Sequence, residues 1–136
     1  MKGIYKCILI VFIVSLIPSF TFAQKKQESI DVQRIWAFGF AENMNDTLVY
    51  LSPVQELEGA ELQKGTNFLM FREDYALQIK QKLESTYPGS YITSIIFAQS
   101  KDKAEKKYLK VRRELRQRPQ TLLIELNQQE FQFRKR

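Results

Sequence analysis

Tyr91–Ala98 (YITSIIFA), Lys101–Gln117 (KDKAEKKYLKVRRELRQ) and Thr121–Leu126 (TLLIEL) succeed one another with little between them, and their reading decides the fold. The first run is rich in β-branched and aromatic residues and alternates only in part, which suits a central strand covered on at least one face. Ser100 can cap the helix that follows, in which Ala104, Tyr108, Val111 and Leu115 recur at steps of four, three and four. Pro119 ends that helix, and TLLIEL returns as a strand. A strand, a helix and a strand in this order predict a right-handed crossover between parallel strands.

Working toward the N-terminus, Arg72–Ser85 places Ala76, Ile79, Lys80 and Leu83 at helical spacing, with Glu73 and Asp74 near the positive end of the helix dipole. Tyr87-Pro88-Gly89 stops it. Arg34–Glu42 (RIWAFGFAE) alternates strictly, with Trp36, Phe38 and Phe40 on one face and Ile35, Ala37, Gly39 and Ala41 on the other. The turn cluster Asn43–Asp46 joins it to a second β-rich run, Thr47–Ser52, that ends at Pro53. Residues 54–65 lack periodicity and read as a connector with an irregular strand extension. Beyond the last strand, Glu130–Phe133 keeps Phe131 and Phe133 on one face before Arg134-Lys135-Arg136. The order is ββαβαβ. It implies an α+β fold: a single two-layer domain with a mixed sheet of about four strands and two helices on one face.

The chain has 136 residues, 44% hydrophobic and 26% charged, which suits one domain. Residues 1–23 read as a cleaved export signal: a basic start at Lys2 and Lys6, the apolar run Cys7–Ile17, Pro18, and small residues at Thr21 and Ala23 before Gln24. Cys7 opens the apolar run instead of following it, so a lipoprotein signal does not fit. Cleavage after Ala23 sends the product to the periplasm or beyond, with no membrane-spanning segment left. Gln24–Gln33 reads as a flexible lead-in, and 34–136 as the single domain. The sole cysteine is lost with the signal and the chain has no histidine. Thiolate metal sites, cysteine nucleophiles and histidine-based triads are therefore absent from the processed chain, and no cofactor is implied.

The processed chain is basic in one place. Residues 101–118 hold nine cations against Asp102, Glu105 and Glu114, a balance of +6, while everything else after Ala23 sums to −2. Lys103, Lys106, Lys107, Lys110, Arg112, Arg113 and Arg116 are the candidates for contacting an anionic lipid or an acidic glycan. Nucleic acid is disfavoured because export separates the protein from it. A plain solvated helix face accounts for the same charges. Trp36, Phe38, Phe40 and Tyr108 read as core. Glu56, Glu58 and Glu61 in the connector fit solvated surface better than the acid pair of a glycoside hydrolase or the oxygen ligands of a divalent cation.

Trp36–Phe40, Asp46–Leu51, Lys103–Lys110 and Phe131–Phe133 together resemble a family of small exported bacterial proteins of uncharacterised function. The resemblance implies export and a one-domain fold, and it carries no activity, cofactor or catalytic residue. The expected function is that of a noncatalytic envelope binding or interaction module whose partner is a protein, an anionic lipid or a glycan. The alternatives are an anionic-surface binder acting through helix 101–118 and a carboxylate-dependent hydrolase.

Overall fold

The computed structural model describes residues 29–31 and 34–136. In chain order its elements are β1 (Ser29–Asp31), β2 (Ile35–Asn43), β3 (Leu48–Leu51), β4 (Gln55–Leu57), β5 (Glu61–Gln63), α1 (Arg72–Thr86), β6 (Tyr91–Ala98), α2 (Lys101–Gln117) and β7 (Leu122–Glu125). The expected signal, residues 1–23, lies outside the described residues, as does most of the lead-in. Ser29–Asp31 is the exception. It pairs antiparallel with β5, Ser29 opposite Gln63 and Asp31 opposite Glu61, so this part of the expected flexible lead-in belongs to a small second sheet. Among the described residues no helix is long and apolar enough to cross a membrane.

β2 organises the main sheet. On one edge it pairs antiparallel with all of β6, from Trp36 opposite Ala98 to Asn43 opposite Tyr91. On the other edge it pairs with β3 through Phe40–Glu42 and with β4 through Ile35–Ala37. β3 and β4 are thus two halves of one strand. Pro53, which has no N–H to give to a ladder, interrupts them. Ser52 repairs the break: its amide donates to the Gly39 carbonyl at 2.8 Å, and its buried Oγ accepts from the Gly39 amide at 2.8 Å. β7 runs parallel to β3, Leu48 opposite Leu122 and Leu51 opposite Glu125. The spatial order is β6, β2, β3–β4, β7, a mixed sheet of the expected kind. β6 and β7 are parallel and joined by α2, as the sequence implies, although β2 and β3 lie between them.

The helices do not share a face. Neighbouring residues of a strand point to opposite sides of the sheet. A Cβ on Gly39 would run into Ile79 of α1, whereas the ring of the adjacent Phe38 meets Tyr108 of α2 edge to face at 5.3 Å. α1 therefore covers the side of Ile35, Ala37, Gly39 and Ala41, and α2 covers the side of Trp36, Phe38 and Phe40. The expected two layers become three: helix, sheet, helix. The cause is the sequence of β2, which is apolar on both faces, so a helix on one side alone would leave a row of aromatic rings in water. The larger core lies under α1, where Tyr50, Leu57, Leu62, Tyr75, Ile79, Leu83 and Ile95 are almost wholly buried. The smaller one, under α2, holds Phe38, Leu51, Ala104 and Leu115.

Glu130–Phe133 is not a strand. It leaves a turn at Asn127–Glu130 and is held by two glutamine side chains that each offer the main chain one donor and one acceptor. Gln55 donates to the Phe131 carbonyl at 3.2 Å and accepts from the Phe133 amide at 2.9 Å. Gln78 of α1 does the same with Arg134, at 3.2 and 2.8 Å. Phe131 and Phe133 meet edge to face at 4.9 Å, and Phe133 meets Tyr75 in the same way at 5.9 Å. This segment completes the core under α1.

Candidate functional site

α2 carries all seven candidate cations, and its local sequence explains its position. Ser100 Oγ accepts from the Lys103 amide at 3.3 Å, Asp102 lies in the first turn and Arg116 in the last, each favourable to the helix dipole. Ala104 and Leu115 are buried against the sheet, with Tyr108 and Val111 half-buried between them. That stripe fixes where every other side chain of the helix points.

One flank faces β7. Arg112 Nη2 donates to Glu125 Oε2 at 3.2 Å, while its buried Nε lies 2.5 Å from Oε1 as an ion-pair contact without hydrogen-bond geometry. Arg116 Nη2 reaches Oε2 at 2.7 Å, and the Tyr108 hydroxyl donates to Oε1 at 3.1 Å. Burial pushes the Glu125 carboxyl up, but the hydrogen bonds from Arg112 and Tyr108 and the charges of Arg112 and Arg116 outweigh it and hold the group below the usual range. Burial, and then the hydrogen bond to Glu125, push the Tyr108 hydroxyl up to about 12. On the other flank, Lys107 Nζ donates to the Phe97 carbonyl of β6 at 2.9 Å. At the ends of the helix, Lys101 lies 5.4 Å over the Trp36 ring and 3.8 Å from Glu105, and Arg118 meets Glu42 at 2.5 Å.

Four of the seven candidates remain. Lys103, Lys106, Lys110 and Arg113 are exposed, and their side chains have no hydrogen-bond or ion-pair partner among the described residues. Their steps of three, four and three place them in one line on the outward side of the helix, spanning about 15 Å at ~1.5 Å per residue. Leu109, 57% exposed, stands beside the line. Lys107, Arg112 and Arg116 do not belong to it, because each is spent on tying α2 to a strand. Charge counting could not separate the two groups; the partner carboxylate, Glu125, lies in a different element.

A consequence concerns acid stability. Glu125 has its pKa lowered by folding, so its contribution is complete above its ordinary value of 4.5 and fades as pH falls through the lower folded value. Glu125→Gln is expected to destabilise by about 1–2 kcal/mol at neutral pH, because the two guanidinium groups then share one neutral acceptor oxygen and face an NH2 donor where the second oxygen stood. The difference from the parent should shrink toward zero as the parent's carboxylate protonates. Urea midpoints at neutral pH and well below pH 4 measure both, and a gap that stays constant would rule the account out.

The other sequence candidates are distributed differently. Glu56 and Glu58 border a groove of about 430 Å³ with Trp36, Gln55, Arg134 and Lys135. Both are exposed, and Glu56 pairs with Arg34 at 3.5 Å. Glu61 lies in β5, apart from them. Among the described residues no group of three acidic side chains could hold a metal ion. Phe38 is fully buried under α2, as expected of core, while Tyr108 of α2, Trp36 and Phe40 are half-buried. Comparison with protein-family models, curated proteins and solved structures gives no match for this chain. The outward row of α2 is accordingly read from its own chemistry.

Proposed function

We propose that the protein is an exported, noncatalytic binding module that holds a phosphate- or carboxylate-bearing envelope surface against the outer face of α2. The observation that supports this reading is the sorting of the helix's cations. Those that face β6 and β7 are engaged, and Lys103, Lys106, Lys110 and Arg113 form an unengaged line with an exposed Leu109 at its side. A row of this length offers several charges at once to a polyanion, releases counterions when it binds, and weakens as salt rises. Headgroups of anionic lipids and the carboxylates of acidic glycans present the matching charge.

The test uses three charge reversals, Lys106→Glu, Lys110→Glu and Arg113→Glu, none of which touches the packed stripe or the Glu125 contacts. With about 1 kcal/mol of attraction per cation at an anionic membrane, the triple variant is expected to lose affinity for phosphatidylglycerol vesicles by at least about a hundredfold. The parent should bind neutral phosphatidylcholine vesicles weakly, and alginate in the same assay separates a glycan ligand from a lipid one. Unchanged binding of both anions by the triple variant would refute the reading. So would affinity that does not fall with salt.

A further inference from the structure

Among the described residues β6 has the longest free edge of the main sheet. Gly39 exchanges hydrogen bonds with Ser52, so its peptide groups point toward β3–β4 and away from β6. Ile95 stands opposite Gly39, and opposed residues of an antiparallel pair point their peptide groups either at one another or both away. The amide and carbonyl of Ile95 therefore face outward, and by the two-residue repeat so do those of Thr93 and Phe97. No strand lies beside them among the described residues. Cations meet two of the carbonyls instead: the Arg72 guanidinium donates to that of Ile95, and Lys107 Nζ to that of Phe97 at 2.9 Å. Arg72 opens α1 and Lys107 belongs to α2, so each helical layer sends one cation to the edge.

At its Phe97 end this edge forms the floor of a groove of about 560 Å³. Phe68 and Arg72 wall it on the α1 side, Lys103 and Lys107 on the α2 side, and no carboxylate is in its lining. Phe68 is 59% exposed. The loop that presents it contains two non-glycine residues in the left-handed region, Asn67 at φ 56° and Phe71 at φ 57°, an uncommon conformation that needs support from its surroundings.

We propose that this edge accepts an extended acidic peptide from a partner protein as an added strand. Cations on an edge strand guard it against indiscriminate pairing. An incoming strand can donate to the carbonyls of Ile95 and Phe97 only after Arg72 and Lys107 have swung away, and carboxylates on that strand give both cations a new partner. A neutral or basic strand leaves them stranded, so the guard also selects. Adjacent residues of the added strand point to opposite faces, so two consecutive acidic residues serve both walls. An apolar residue two positions from the acid on the Arg72 side lies on the side of Phe68. The inference goes beyond the anionic-surface reading, since it rests on Arg72, Lys107 and the β6 edge, shares only Lys103 with the helix row, and requires main-chain pairing.

The probe is a ten-residue peptide of valine and threonine with two adjacent glutamates, compared by fluorescence anisotropy with its glutamine counterpart. The protein should bind the glutamate peptide about tenfold or more tightly than the glutamine one. Arg72→Gln with Lys107→Gln should erase that preference by weakening the first and strengthening the second. N-methylation of the peptide amides that face β6 should abolish binding, a readout that leaves the protein's own fold untouched. Hydrogen exchange at the amides of Thr93, Ile95 and Phe97 should slow in the complex. Equal affinity for the two peptides, indifference to N-methylation, or no binding at millimolar peptide would each overturn the proposal. The Lys106, Lys110, Arg113 triple variant should bind the peptide as the parent does; loss of peptide binding there would assign the charge preference to the helix row and not to the edge.

Discussion

A Gly39→Ala variant is expected to lose about 1–3 kcal/mol of stability, although alanine is the smallest residue that could be placed there. The backbone of Gly39 is ordinary strand, so the difficulty is space and not conformation. A Cβ at this position would overlap Ile79 Cδ1 of α1, and it would come within 2.8 Å of Ile95 Cδ1 and 3.0 Å of the Ser94 carbonyl. Both isoleucines are 1% exposed, so neither methyl can turn into solvent. The strand is also pinned at this residue from behind by its two bonds with Ser52. Ile79→Val removes the overlapping atom. Alone it should cost about 0.5–1.5 kcal/mol for the vacated space, but in the Gly39→Ala background it should cost less or restore stability. Denaturant unfolding of the parent, the two single variants and the double variant measures the coupling. Strict additivity would show that α1 does not rest on Gly39.

The largest loss is expected on the other side of the sheet. Phe38 is fully buried and packs edge to face on Tyr108, the half-buried ring at the centre of the α2 stripe. Phe38→Ala removes the ring from beneath the middle of the helix, and such truncations cost about 3–5 kcal/mol where the surroundings cannot collapse. Collapse is resisted here because α2 is tied at both flanks, by Lys107 to β6 and by Arg112 and Arg116 to Glu125. Against a total stability of roughly 5–15 kcal/mol, this one substitution brings the domain close to its unfolding threshold at ambient temperature. Phe38→Leu, which keeps most of the volume, should cost far less. A Phe38→Ala loss under about 1 kcal/mol would mean that α2 does not depend on this contact.

Much of the architecture was legible because periodicity was strong where it mattered. Tyr91–Ala98 and Lys101–Gln117 stand as the residue pattern implies, the second with Ser100 as its cap. The layer arrangement was missed by the expectation of two helices on one face, although its signal stood in the sequence: Trp36, Phe38 and Phe40 alternate with Ile35, Ala37, Gly39 and Ala41, and a strand apolar on both sides asks for cover on both. Gly39 among small residues further marks the side where a helix approaches closely. The place of Glu130–Phe133 was not legible. Two aromatic residues at spacing two fit a strand, and nothing local announces that Gln55 and Gln78 will supply the bonds a neighbouring strand would have made. The binding row was legible only in outline. Nine cations on one segment are visible at a glance, but which are spent depends on Glu125, Phe97 and Glu42, set by tertiary pairing. The guarded edge of β6 left no local signal, since Arg72 stands 23 residues before the carbonyl it covers.

The glutamine clasp on Phe131 and Phe133 sets an order in time. Gln55 bonds to residues 76 and 78 positions downstream, and β3 waits for β7 across a comparable stretch of chain. A chain made from its N-terminus therefore has β2, β3 and α1 in hand long before either core can close. Until Phe133 has been made, the nascent domain leaves open the apolar surface under α1, the kind of surface that chaperones hold. The Phe131–Phe133 segment acts as the latch.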